Sequence, residues 1–316
     1  MDLASRRFLS LYDQPGHIIR RAQQFGSAAP KDLDNPSVLT PPQYSVLYAI
    51  ALQPGMEQQE VAAAVFYDPV TTGAILQKLH DLGAVRRDAS GRSARGRTIA
   101  IAPIGERLLA QIAPYTAANQ IRLLQRLDPS ERPALMHLLS KVAGVVNDSN
   151  RTGGETSPFI SLYDQPGHVF RRCRQFAAAS FEAEVGHLGV TAPQFSALYA
   201  MALFPGLEQQ EIAGAIFYDA ATTSGILSRL LKMGAIEREA SGRSARGVAI
   251  RLAPGGEALM QQLLPAVWQH QVRLLERLGR DEKPSFLKLL SKVAGVENSF
   301  NPPHPDVRPG APATDS

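Results

Sequence analysis

Cysteine is nearly absent. Cys173 stands alone in 316 residues, so no intramolecular disulfide can form, and the chain is expected to fold in a reducing compartment with that thiol as a small buried apolar group. Tryptophan also occurs once, at Trp268. No apolar run approaches the roughly 18 residues that a membrane helix requires. The opening stretch MDLASRRFLSLYDQPGH has basic residues but no apolar segment of signal-peptide length. A cytoplasmic protein with no membrane partner is therefore expected. Gly-rich phosphate loops, Cys/His metal spacings and a G-x-S-x-G elbow are all missing, and the acidic residues fall mostly at helix caps and solvated faces. Neither catalytic residues nor a metal or cofactor is expected. A net charge of +4, with 44% hydrophobic residues, is too small to announce a nucleic-acid partner by itself, so the distribution of charge must decide.

What the chain has in abundance is itself. SLYDQPGH at Ser10–His17 returns at Ser161–His168, and the same 151-residue shift aligns Thr40–Asp68 with Thr191–Asp219, ASGRSARG at 89–96 with 240–247, and LLSKVAGV at 138–145 with 289–296, all without a gap. A period this long signals a duplicated domain, because solenoid repeats run at roughly 20 to 50 residues. The polar, Gly-containing stretch 147–158 reads as a linker. The tail 298–316, rich in proline, reads as disordered. The two units then span 1–146 and 159–297.

Both copies carry the same pattern of elements. Asp13-Gln14-Pro15 suits the start of a helix through HIIRRAQQF; its counterpart runs further in the second copy, whereas the first meets Pro30 and Pro36. Thr40 with Gln43 three residues on predicts a capping box opening a second helix that stops near Pro54-Gly55. A third helix is expected over 57–66, and a fourth from the Asp68 cap to Gly83. AVRRDA and RTIAIA, separated by the polar SGRSARG, predict a hairpin with a long tip. A long helix follows Pro103 to about Leu127, and a last one, capped by Asp128, Pro129 and Glu131, carries Leu135, Leu138, Leu139 and Val142 at helical spacing.

Three helices, two strands with a basic tip, and long helices on either side outline a winged helix-turn-helix. On LTPPQYSVL, on DPVTTGAILQKLHDLGAVRR and on the arginine-bearing wing followed by IAIAPIGERLL, the chain resembles the MarR family of bacterial transcription regulators, once in each copy. The resemblance implies a mainly α fold with small β-wings. It implies two winged helix-turn-helix units joined through a shared helical region, as an intramolecular pseudo-dimer in a monomeric chain. It further implies a repressor that binds double-stranded DNA at half-sites about one helical turn apart and is released by a small aromatic carboxylate of phenolic, indolic or pyridine type. Rival readings are an enzyme and a winged-helix module that binds proteins, or DNA without an effector.

The residues expected at DNA follow from the fourth helix and the wing. Small side chains at a helix N-terminus let backbone approach phosphates and bases, and hydroxyls can bond either: Thr71, Thr72 and Gly73, matched by Thr222, Thr223 and Ser224. Further along lie Gln77 and Lys78, matched by Ser228 and Arg229. Taken alone, these also fit a solvated, capped helix. Arg92, Arg95 and Arg97, with Arg243 and Arg246, form the wing tips, whose guanidinium groups suit a narrow minor groove. Family wings commonly carry Asp-x-Arg; Ser93-Ala94-Arg95 and Ser244-Ala245-Arg246 stand there instead. Because the halves differ where bases are read, an operator that is only nearly palindromic is expected.

For the effector, an arginine fork for a carboxylate and aromatic walls for a flat ring are expected from Tyr12, His17, Arg21, Tyr44 and Tyr48, and from Tyr163, His168, Arg172, Phe195 and Tyr199. The histidines and tyrosines equally fit a packed core, and the arginines a salt-bridged seam. Trp268 has no counterpart in the first copy, so the two pockets are expected to be unequal.

Overall fold

The computed structural model describes Leu11 and residues 14–27, 39–88, 97–145, 161–240 and 247–296. The linker, the tail, Tyr12 and the wing tips at 89–96 and 241–246 lie outside the described residues. The first repeat runs α1 (Pro15–Ser27), α2 (Pro41–Leu52), β1 (Met56–Glu57), α3 (Gln58–Val65), α4 (Pro69–Asp81), β2 (Val85–Asp88), β3 (Thr98–Ile101), α5 (Pro103–Leu123) and α6 (Arg132–Ala143). The second repeats it as α7 (Pro166–Val185), α8 (Ala192–Leu203), β4 (Leu207–Glu208), α9 (Gln209–Ile216), α10 (Ala220–Lys232), β5 (Ile236–Ala240), β6 (Val248–Leu252), α11 (Pro254–Leu274) and α12 (Glu282–Ala294). The fold is mainly helical with small antiparallel sheets.

Local chemistry sets these boundaries. The Gln43 amide oxygen accepts the Thr40 N–H at 2.7 Å, and Gln194 does the same for Thr191 at 2.8 Å, closing the N-termini of α2 and α8. The Asp68 carboxylate accepts the Thr71 N–H at 2.8 Å and starts α4; Asp219 and Thr222 start α10 at 2.7 Å. α2 and α8 are apolar almost all round and accordingly lie in the middle of their cores. Each sheet has three strands, in the orders β1-β3-β2 and β4-β6-β5. The two-residue edge strand, with Met56 opposite Ile99, is too short to leave a period in the sequence. α5 ends at Leu123, short of the expected Leu127, and α6 begins at Arg132 rather than at Asp128.

The repeats are not the compact units. One unit, here the first-wing unit, comprises Gln23–Asp128 and Ala143–Arg172; the other, the second-wing unit, comprises Met1–Ala22, Pro129–Val142 and Cys173–Ser316. The boundaries fall inside α1 and α7. Leu162 is buried in the core of α2, α3, α4 and their sheet, while Leu11 is buried in that of α8, α9, α10 and theirs. Each winged core therefore takes the start of its first helix from the other repeat.

The second-wing unit also pairs α6 with α12. Lys141 Nζ meets Glu282, and Lys292 Nζ meets Glu131. These are the same two sequence positions exchanged, the signature of an isologous, two-fold contact. Arg277 donates to the Val142 carbonyl at 3.0 Å, and the buried Cys173 thiol donates to the Leu139 carbonyl at 3.3 Å. The lone cysteine is thus a packed side chain with a satisfied proton.

Candidate nucleic-acid interface and effector cavity

α4 and α10 present equivalent surfaces. Thr71, Gln77, Lys78 and Arg97 are exposed in the first-wing unit, as are Thr222, Ser224, Ser228 and Arg229 in the second-wing unit. Thr71 and Thr222 donate their hydroxyls to the Asp68 and Asp219 carboxylates, which these bonds hold below the usual carboxylate pKa. Gln77 donates to Asp81 at 2.8 Å. Thr72 and Thr223 depart from expectation: both are fully buried. The helical period that turns Thr71 outward turns the next residue toward Ile75 and Leu76, and Thr72 spends its hydroxyl on the Asp68 carbonyl at 2.9 Å. They seat the helix and do not face a ligand. Of the wing arginines only Arg97 is described.

α3 and α9, the helices preceding α4 and α10, end in an unusual way. Phe66 and Phe217 have φ of 55°, a left-handed conformation that costs a bulky side chain of the order of 1–3 kcal/mol. In the second-wing unit Arg20 reaches over this corner, donating to the carbonyls of Ile216 and Phe217 at 2.5 and 3.4 Å, with its guanidinium 4.2 Å above the Tyr218 ring. Arg21 lies 4.1 Å above the Phe217 ring, and His17 stacks 5.5 Å from it. The first-wing unit repeats the arrangement. Arg171 donates to the Val65 carbonyl at 2.9 Å and covers Tyr67, Arg172 covers Phe66 at 4.2 Å, and His168 and Tyr163 stack on Phe66. Terminal helix carbonyls are unsatisfied and carry the negative end of the helix dipole, so a guanidinium fork suits them.

This clamp changes the roles expected of several residues. Arg21 and Arg172 are stacked on phenylalanine rings because α1 and α7 begin against the other repeat's winged core. An arginine only donates, so the contacts of Arg20 and Arg171 with the Nδ1 atoms of His17 and His168, at 3.3 and 2.9 Å, require neutral imidazoles. Burial first, and the two neighbouring guanidinium groups second, hold His17 well below its ordinary pKa and take His168 to about 3. Tyr48 and Tyr199 are buried core residues packed on Tyr44 and Phe195.

Behind the clamp, the second-wing unit encloses a cavity of about 100 Å³ bounded by Gln14, His17, Phe181, Phe195, His270 and Gln271, with Arg20 and the exposed Arg174 also on its wall. Of the expected ligand residues it brings together His17 and Phe195. His270 Nδ1 lies 3.0 Å from the Ser180 hydroxyl and its ring meets Phe181 edge-on; burial lowers its pKa to about 4. Gln14 Nε2 and Gln271 Oε1 are buried without a hydrogen-bond partner among the described residues. The residues expected from sequence did not include Gln14, Phe181, His270 and Gln271. For His270 a usable signal existed, since the 151-residue offset sets it against Asn119. Trp268 is buried but not on the cavity wall.

In the first-wing unit the half-buried Tyr44 hydroxyl bonds the side chains of Thr116 and Gln165, and burial raises its pKa. Gln120 Oε1 accepts the Gly167 N–H at 2.7 Å.

The MarR family model matches residues 39–96 and again 188–247. The transcriptional regulator HosA of Escherichia coli O127:H6 is 33% identical over 104 residues, spanning 33% of this chain and 77% of that protein. The HTH-type transcriptional repressor NicR of Pseudomonas putida is 28% identical over 139 residues, 44% of this chain and 87% of NicR. Among solved structures, a probable transcriptional regulator from Pseudomonas aeruginosa is 30% identical, over 42% of this chain and 98% of its own, with a TM-score of 0.41. Matched separately in each repeat, and sharing a third of its aligned residues with HosA across most of that protein, the chain belongs to the MarR family of transcriptional regulators, with the family's winged unit written twice.

Proposed function

We propose that the chain is a repressor that grips a nearly palindromic operator as an intramolecular pseudo-dimer and lets go when a small aromatic carboxylate binds. The observation that carries this reading is the reciprocal exchange of the starts of the first helices. Neither winged core is complete without Leu11 and residues 14–22, or residues 162–172, of the other repeat, the relation expected of two subunits of a dimer fused into one chain. The exposed side chains of α4 and α10, with the arginines of both wings, are the proposed DNA contacts. Gln77 and Lys78 against Ser228 and Arg229 give the halves different readers, which a homodimer of identical subunits cannot have.

The cavity supports the effector reading through its position. Two of its walls, His17 and Arg20, are also the clamp on Phe217, which stands two residues before the Asp219 cap of α10. A ligand that shifts these side chains acts on the start of a recognition helix. By linkage, a ligand that weakens DNA binding is itself weakened by DNA, by the same factor.

The test is a fluorescence-anisotropy titration of operator DNA across a salt series, with Arg95 and Arg246 both changed to alanine. The expected result is weaker binding with a shallower salt slope, by roughly one unit for each phosphate that an arginine no longer neutralises. Unchanged affinity removes the wing from the interface.

A further inference from the structure

Resting on the effector reading, we propose that the chain carries one effector site rather than two: the cavity of the second-wing unit is open to a hydroxylated monocyclic aromatic carboxylate, and the first-wing unit has filled the equivalent site with its own tyrosine.

The two units differ in their polar groups around the same helices. In the first-wing unit the Tyr44 phenol joins Thr116 and Gln165, and Gln120 is engaged by the Gly167 N–H. At the matching positions the second-wing unit has Phe195 for Tyr44, Val267 for Thr116, Gln14 for Gln165 and Gln271 for Gln120. It lacks both hydroxyls and keeps both amides. Gln14, whose counterpart Gln165 bonds the Tyr44 phenol, is 3% exposed and Gln271 2% exposed, and Gln14 Nε2 and Gln271 Oε1 have no partner among the described residues. Buried polar atoms are nearly always satisfied, and exceptions call for a missing partner. Both residues line the 100 Å³ cavity.

The orphaned atoms define what is missing. Gln14 Nε2 needs an acceptor and Gln271 Oε1 needs a donor; a single hydroxyl is both, and in the other unit the Tyr44 phenol supplies one to Gln165. The walls are aromatic, from Phe181, Phe195 and His270, and a cavity of this scale is of the order that holds one six-membered ring. Arg174, exposed at the wall, is a cation for a carboxylate; the first repeat has Gln23 there. His270, neutral and buried, replaces Asn119.

The test is isothermal calorimetry on the full chain without DNA, using 4-hydroxybenzoate, with benzoate as the probe lacking the hydroxyl. The expected result is one 4-hydroxybenzoate per chain, bound at least about tenfold tighter than benzoate, because a site that hydrogen-bonds a hydroxyl discriminates against its absence. Changing Phe195→Tyr together with Val267→Thr is expected to abolish binding and to raise the melting temperature of the ligand-free chain, since the new phenol fills the cavity and gives Gln14 the hydroxyl partner that Gln165 has in the other unit. Changing Tyr44→Phe with Thr116→Val is expected to leave that one site in place. Two equal sites in the unmodified chain, or binding abolished in the Tyr44 variant and kept in the Phe195 variant, overturn the asymmetry while the effector reading survives. No binding of either probe to the unmodified chain overturns both.

Discussion

His168 shows what one residue can hold. It is buried against Phe66 and Tyr163, touches Arg171, and stays neutral with its pKa near 3. The sign of its effect on stability follows. The unfolded chain takes up a proton near pH 6.5 while the folded chain refuses it until about pH 3, so its contribution is complete above 6.5 and is lost as pH falls through that window. At pH 5 the gap of about 1.5 units corresponds to roughly 2 kcal/mol. Urea unfolding at pH 7.5 and pH 5.0 is expected to show a loss of at least this size in the parent chain, with His17 and His270 adding to it in the same direction, and a clearly smaller loss in His168→Gln. Equal losses would mean that His168 is protonated without penalty in the folded state. The repeated histidine and arginine pair were legible in the sequence as a motif, but their partners were not, because Phe66 lies 102 positions away and in the other repeat.

At the scale of elements, most boundaries were written locally, in Thr40-Gln43, in Asp68 and in the first-turn prolines of α2, α4, α5, α8 and α11, since caps act within four residues. Close approaches were not. Gly256 opens α11 with its Cα so near the Ala235 carbonyl that an added Cβ would overlap that oxygen, and Gly105 stands in the same relation to the Ala84 carbonyl. Gly256→Ala therefore forces the helix away from β5, and a loss of at least about 1–3 kcal/mol is expected. Gly214, inside α9, has open space around it, and the first repeat has Ala63 at that position. Gly214→Ala is expected to stabilise by about 0.5–1 kcal/mol. Chemical denaturation of both variants checks the pair; a neutral Gly256→Ala would show that α11 can shift without loss.

For the molecule as a whole, the decisive relation is that each repeat lends the other the start of its first helix and that α6 and α12 exchange ion pairs. A single repeat, such as residues 159–297 expressed alone, lacks the α1 start that covers Phe217 and the α6 that faces α12. Two copies can supply these to one another, so sedimentation is expected to find this fragment as a homodimer. A monomeric fragment with cooperative unfolding would show that the exchanged helices are dispensable.

The sequence by itself determined the duplication, the order of helices and strands within each copy, the helix caps and the exposed basic side chains of the recognition helices. These depend on neighbours in the chain and on periodicity, which a linear text records. Only the tertiary structure decided which repeat the start of each first helix serves, that Thr72 and Thr223 face inward, that the repeated spacing of histidine and two arginines clamps a left-handed phenylalanine, and that two glutamines of different repeats line one cavity, each with a buried side-chain atom that has no partner among the described residues. Those outcomes depend on contacts between residues far apart in sequence, where either partner taken alone fits several environments.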